Sequence, residues 1–74
     1  MFQWKIRLDT QSDIYNFFNA VSRVKEEVYL RSGDILCVSA KSLLGCKLAA
    51  VEFDNLVCQC DKDIYTTIEN FTID

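Results

Sequence analysis

The chain has 74 residues, of which half are apolar, and carries a formal net charge of −3. A chain of this length can build only one hydrophobic core, so we expect a single domain over residues 1–74 and exclude a multidomain enzyme. The supply of apolar and aromatic residues excludes intrinsic disorder, because it is large enough to form a packed core.

The charge distribution and the short apolar stretches argue against nucleic acid and membrane as partners. Residues 51–74 carry one basic and six acidic residues, while residues 1–50 are only slightly basic. Nucleic-acid-binding domains concentrate basic charge instead. No apolar stretch approaches the roughly 20 residues of a membrane-spanning helix, and the N-terminus lacks the layout of a secretory signal. The sequence therefore predicts a cytoplasmic protein.

The first half of the chain has the pattern of a strand, a helix and a hairpin. Residues 2–8 alternate between apolar and polar side chains, as in a strand with one buried face. Residues 9–13 then offer helix caps, and the apolar residues that follow recur at helical spacing up to about Arg23. Two further strand-like segments, residues 26–31 and 35–40, flank a Ser-Gly-Asp turn and predict a β-hairpin.

The second half predicts a short helix, a strand and a last helix. Ser42 is a good N-cap for a helix over residues 43–50, which Gly45 is expected to keep brief or irregular. Residues 55–60 are expected to form the next strand, and the last helix is expected to fray before Asp74 because it is rich in threonine. The apolar stripe of that last helix consists of Ile64, Ile68 and Phe71.

The element order is therefore β-α-β-β-α-β-α. It predicts an α+β open-faced sandwich, in which a four-stranded sheet is covered by three helices on one face. Ferredoxin-like regulatory domains share most of this order, so the order alone does not identify a family.

The four cysteines are Cys37, Cys46, Cys58 and Cys60. Their spacing lacks the paired Cys-x-x-Cys motifs of zinc sites. Two residues apart on a strand, Cys58 and Cys60 share a face with Leu56, so we expect core thiols that behave as small apolar side chains. A metal or redox site built from these cysteines is the alternative.

Residues 41–45, Lys-Ser-Leu-Leu-Gly, resemble the Lys-Ser-apolar-apolar-Gly segment of HPr, the phosphocarrier of the bacterial sugar phosphotransferase system. As in HPr, the segment follows a hairpin and opens the short second helix. Residues 21–28 resemble the end of the first HPr helix and the entry into its second strand. The resemblance implies an HPr-like fold over nearly the whole chain, from Trp4 to Phe71.

The chain departs from HPr at the phosphocarrier site. HPr carries its phosphoryl group on a histidine at the start of the first helix, in a Gly-apolar-His-Ala-Arg-Pro setting. This chain contains no histidine, and residues 9–14 also lack the arginine, glycine and proline while containing Asp9 and Asp13. Histidine phosphotransfer is excluded by composition, and no other nucleophile and base form a plausible pair, so we do not expect an enzyme.

The resemblance implies that Ser42 is the regulatory serine. In HPr from many Gram-positive bacteria the matching serine is phosphorylated by HPr kinase, and the product binds a transcriptional regulator. The free N–H groups of the following helical turn suit a phosphate at this position, and Lys41 and Lys47 would add positive charge. The alternative is that Ser42 serves as a helix cap alone.

The resemblance also implies a partner-binding surface on the second helix. The residues that match it are Lys41, Leu43, Leu44 and Lys47. The alternative is that Leu43 or Leu44 packs inward on the sheet, because a short amphipathic helix must bury something.

The predicted function is therefore that of an HPr-like regulatory, protein-binding domain without a cofactor or metal. Its expected partner is a protein such as HPr kinase or a transcriptional regulator. Two alternatives are a cysteine-based metal or redox protein and a ferredoxin-like domain that senses a small molecule.

Overall fold

The computed structural model describes residues 1–73 and has an α+β architecture with one four-stranded antiparallel sheet and three α-helices. This confirms the predicted class and element order. The elements are β1 (Phe2–Lys5), α1 (Gln11–Ser22), β2 (Val28–Ser32), β3 (Leu36–Ser39), α2 (Leu43–Glu52), β4 (Val57–Cys60), α3 (Tyr65–Ile68) and a 3-10 turn over Glu69–Phe71.

The strand order in the sheet is β1-β4-β2-β3. Opposite residues of antiparallel strands point to the same face of a sheet, so the register defines a row across all four strands. Trp4 pairs with Cys58, Cys58 pairs with Leu30, and Leu30 pairs with Val38. Cys58 and Leu30 are fully buried. This row therefore lies on the face that the helices cover.

α1 starts where the sequence predicts it, at a reciprocal cap. The Thr10 hydroxyl accepts a hydrogen bond from the Asp13 N–H at 3.1 Å, and the Asp13 carboxylate accepts one from the Thr10 N–H at 3.1 Å. The two bonds satisfy N–H groups that the first turn would leave unpaired. The helix then buries Ile14, Phe17 and Val21, as their spacing predicts.

β1 ends at Lys5, three residues earlier than predicted, and the chain at its end bonds to the C-terminal segment. The Arg7 N–H donates to the Phe71 carbonyl at 2.9 Å, and the Ile73 N–H donates to the Lys5 carbonyl at 2.9 Å. Residues 6 and 8 keep the predicted alternation, since Ile6 and Leu8 are both buried.

The last helix is shorter than predicted. α3 occupies four residues and passes through the 3-10 turn into an extended segment, where Thr72 forms a bridge to Ile6. The Thr72 hydroxyl donates to the Glu69 carbonyl at 2.9 Å, and this side-chain bond at the end of the turn competes with helix continuation. Ile64 and Ile68 are buried as predicted. The sequence predicts that this helix frays before Asp74, and the helical structure does end earlier, at Phe71, with Thr72 in extended backbone. Asp74 itself lies outside the described residues.

The expectation that Gly45 keeps the second helix brief or irregular is wrong. α2 runs without interruption for ten residues, two beyond the predicted end. A Cβ atom at Gly45 would lie 3.0 Å from the Ser39 carbonyl oxygen, at the end of β3. The glycine therefore allows the first turn of α2 to lie directly against the backbone of the sheet.

We expect Gly45→Ala to gain none of the roughly 1 kcal/mol that alanine offers over glycine in a helix, because the new methyl group meets a backbone oxygen. Its urea unfolding midpoint should equal or fall below that of the wild type. Gly33→Ala is the comparison, since Gly33 has a positive φ of 54° and open space around it, and loses stability through backbone strain alone. A midpoint for Gly45→Ala raised by the full helix propensity would contradict the close approach.

Candidate functional site

α2 is apolar on both of its sides, and only one side is covered. Cys46 and Ala49 face inward and are fully buried. Leu44, Leu48 and Val51, which we call the outer stripe, are 78%, 45% and 75% exposed. Their spacing of four and three residues places them in line on the side away from Cys46 and Ala49. A helix that is apolar all round is normally buried all round, so the outer stripe is the unusual surface of this domain.

The two leucines that the sequence left undecided have different environments. Leu43 is half-buried and packs against the core, whereas Leu44 points outward. Leu44 is therefore available to a partner, and Leu43 anchors the helix that presents it.

Ser42 caps α2 and is exposed. Its Oγ accepts a hydrogen bond from the Gly45 N–H at 3.1 Å, and its carbonyl accepts one from the Cys46 N–H at 2.9 Å. The predicted N-cap is thus present. Because Ser42 is exposed at the start of α2, two residues before Leu44, capping leaves its side chain accessible to a modifying enzyme.

Lys41 is held within the chain. Its ammonium group donates to the carbonyls of Val24 and Lys25, which follow the end of α1. Its backbone N–H donates to the Ser39 hydroxyl at 3.1 Å. Lys41 therefore joins the segment between α1 and β2 to the start of α2 and positions Ser42, while a direct contact with a partner remains a prediction.

Lys47 borders the outer stripe on the side of α1. Its ammonium group lies 5.1 Å from the centre of the Tyr15 ring, a cation–π contact between α1 and α2. Both side chains are exposed. Glu52, at the end of the same helix, is also exposed. The site thus consists of an apolar line with one basic and one acidic residue beside it.

Sequence reasoning missed Leu48 and Val51. Both follow Leu44 at helical spacing, so the same periodicity that identified α2 could have shown the stripe. The obstacle is that the inward side of α2 is equally apolar, and the pattern does not say which side the sheet covers.

Asp9, in the segment that the resemblance to HPr would place at the phosphocarrier site, lines a surface cavity of about 400 Å³. Its polar lining includes Arg7, Asp9, Asp54 and Asn55. The Arg7 guanidinium lies 3.8 Å from the Asp9 carboxylate, so its charge is already shared with an acid. A cavity with two carboxylates and one such arginine is a poor site for a phosphoryl group.

Three of the four cysteines are core residues. Cys46, Cys58 and Cys60 are buried, Cys37 is exposed, and all four are free thiols. Burial raises the pKa of the Cys46 thiol to about 11. Burial raises the pKa of Cys58 to about 12, with the nearby Cys60 and Cys46 thiols adding to the effect. Buried, protonated thiols are poor nucleophiles and poor metal ligands. Residues 1–73 hold no cluster of histidine, cysteine or carboxylate side chains suited to a metal ion.

No protein-family model, no curated protein and no solved structure matches this chain. Within residues 1–73, every helix is too short or too polar to cross a membrane.

We expect Ser42→Ala to lower the free energy of unfolding by about 1 kcal/mol, because the Gly45 N–H loses its acceptor. Ser42→Asp should stay near the wild-type value, since aspartate caps as well as serine and its charge is favourable at a helix N-terminus. Urea denaturation of the three proteins checks both values. Equal stability of the alanine variant and the wild type would show that the cap contributes nothing.

We expect the domain to lose stability as the pH rises from about 9 toward 11. The folded chain keeps Cys46 and Cys58 protonated above the ordinary thiol value of 9.0, whereas the unfolded chain releases these protons. Above that pH the unfolded state binds fewer protons, so the free energy of unfolding falls as the pH rises. Unfolding midpoints measured across this range should fall more steeply for the wild type than for a Cys46→Ala, Cys58→Ala double variant. An equally steep fall of the unfolding midpoint with pH in both proteins would show that Cys46 and Cys58 do not cause the loss of stability.

Proposed function

We propose that this chain is an HPr-like regulatory domain that binds another protein through the outer side of α2 and does not carry phosphoryl groups on histidine. The observation that carries the proposal is the exposed outer stripe, which starts two residues after Ser42. The element order and the Lys-Ser-Leu-Leu-Gly start of α2 support the HPr-like fold.

The outer stripe has the composition of a docking surface. Its three aliphatic side chains follow one another along the helix and are exposed, and the exposed Lys47 and Glu52 lie on the same helix beside them. Burying one aliphatic side chain of this size stabilises a complex by up to about 1.5–3 kcal/mol. Burial of all three by a partner would therefore supply much of the binding free energy of a weak protein–protein complex. Lys47, at the edge of the stripe, offers a charge that selects among apolar partners.

Binding, rather than catalysis, fits the rest of the chain. The sequence contains no histidine, and the buried thiols are protonated at neutral pH. The domain would act in the cytoplasm without a cofactor, and its partners would be HPr kinase and a transcriptional regulator.

Ser42 is the proposed switch of this surface. HPr kinase would transfer the γ-phosphoryl group of ATP to the Ser42 Oγ, with release of ADP and the hydroxyl proton. The phosphate would accept hydrogen bonds from the free N–H groups of the first turn of α2. Because Ser42 caps α2 two residues before Leu44, the new charge would lie at the N-terminal end of the helix that carries the outer stripe and change which partner binds there.

We expect HPr kinase and ATP to add one phosphate to the wild type and none to Ser42→Ala. Intact mass and site mapping read the result. Ser12→Ala removes another exposed serine and should incorporate phosphate normally. Absence of phosphate on folded wild type would contradict the proposed regulation.

The same reaction tests the docking surface. Leu44→Glu places a charge on the outer stripe and should slow phosphorylation of Ser42 about tenfold or more, since the kinase must dock near its target. Ile35→Glu alters an equally exposed residue, 77% accessible, in the β2–β3 turn and should leave the rate unchanged. Equal rates for the two variants would remove the role of the stripe in kinase docking.

A further inference from the structure

The outer stripe has the spacing of a coiled-coil seam. Leu44, Leu48 and Val51 follow one another at intervals of four and three residues, as successive d, a and d positions of a heptad do. In the same register Lys47 occupies position g and Glu52 occupies position e, the two positions that flank a seam. The exposed side of α2 therefore carries both parts of a helix-pairing surface, an apolar line and charged flanks.

We propose that the outer stripe binds a second copy of this chain, with the two α2 helices parallel about a two-fold axis. This inference rests on the proposed function, in which the outer side of α2 is a docking surface, and it adds a second copy of this chain to the partners of that surface. Each Leu44, Leu48 and Val51 then meets its own counterpart across the axis, so the surface is complementary to itself.

Charge favours the parallel arrangement. In a parallel pair a residue at g lies near the residue five positions later on the other helix. Lys47 of one copy therefore meets Glu52 of the other, and the symmetry repeats this contact. In an antiparallel pair centred on the stripe, the two Lys47 residues would lie on the same flank at nearly the same level and repel each other.

The domain supplies what a short helix lacks. A ten-residue helix is marginal in isolation, but α2 is held in place by the Ser42 cap and by the burial of Cys46 and Ala49. The seam is thus formed before association, and little ordering remains to oppose binding. Because it contains only three apolar residues per copy, the pair belongs with small, reversible interfaces.

Sedimentation equilibrium of the full chain over a wide range of concentration tests the proposal. The wild type should show a reversible monomer–dimer equilibrium. Lys47→Glu places two carboxylates opposite each other, and Glu52→Lys places two ammonium groups opposite each other. Each variant should weaken the dimer about tenfold, since two symmetry-related pairs change from attraction to repulsion.

The double variant Lys47→Glu, Glu52→Lys restores opposite charges. Its dimer dissociation constant should return to within about threefold of the wild-type value. The contact between Lys47 and Tyr15 is lost in both Lys47→Glu and the double variant, so it cannot produce the recovery from one to the other. Leu44→Glu should abolish the dimer and Ile35→Glu should preserve it, with circular dichroism showing that both variants are folded.

A wild type that stays monomeric at every concentration would overturn the pairing, as would a double variant no better than the weaker single one. These outcomes are distinct from failure of the proposed function. A monomeric protein whose phosphorylation still depends on Leu44 would retain a docking surface for another protein. A dimer whose Ser42 is not phosphorylated would retain the pairing and lose the regulation.

Discussion

The close approach of α2 to the end of β3 fixes the surface that this domain presents. At Gly45 the helix lies so near the Ser39 carbonyl that a Cβ atom would be only 3.0 Å from its oxygen. Ser42 caps the helix just before this contact, and the Lys41 ammonium group joins its start to the carbonyls after α1. With the first turn held in this way, Cys46 and Ala49 enter the core, and Leu44 and its neighbours in the outer stripe must face outward.

Periodicity predicted most of the fold because each long element buries one face. Packing against a core produces the alternation of residues 2–8 and the helical spacing of Ile14, Phe17 and Val21. Most of the residues that these patterns predict to be buried are buried in the structure. The C-terminal segment was not predictable in this way. Its last residues pair with the backbone beyond β1, and backbone pairing across the length of the chain leaves no local pattern.

The candidate site was predictable in part for a related reason. Ser42 has a local signature, since a capping residue and its helix are adjacent in sequence, and the structure shows the cap. The orientation of α2 has no such signature, because the helix is apolar on both sides and tertiary contacts, among them the close approach at Gly45, decide which side is covered. The role of Lys41 was likewise invisible, as its acceptors lie 16 and 17 residues away.

The proposed surface for protein contact is the outer side of α2. Methyl NMR of Leu44, Leu48 and Val51 with a soluble paramagnetic probe measures this exposure directly. In dilute protein we expect strong paramagnetic relaxation enhancement of the methyl signals of all three residues. We expect this enhancement to fall at these residues alone when a binding partner is added, or when the protein concentration is raised so that a second copy binds. Methyl groups that are shielded in the dilute monomer, or that stay fully exposed at high concentration and with every added partner, would contradict a contact surface on this side of α2.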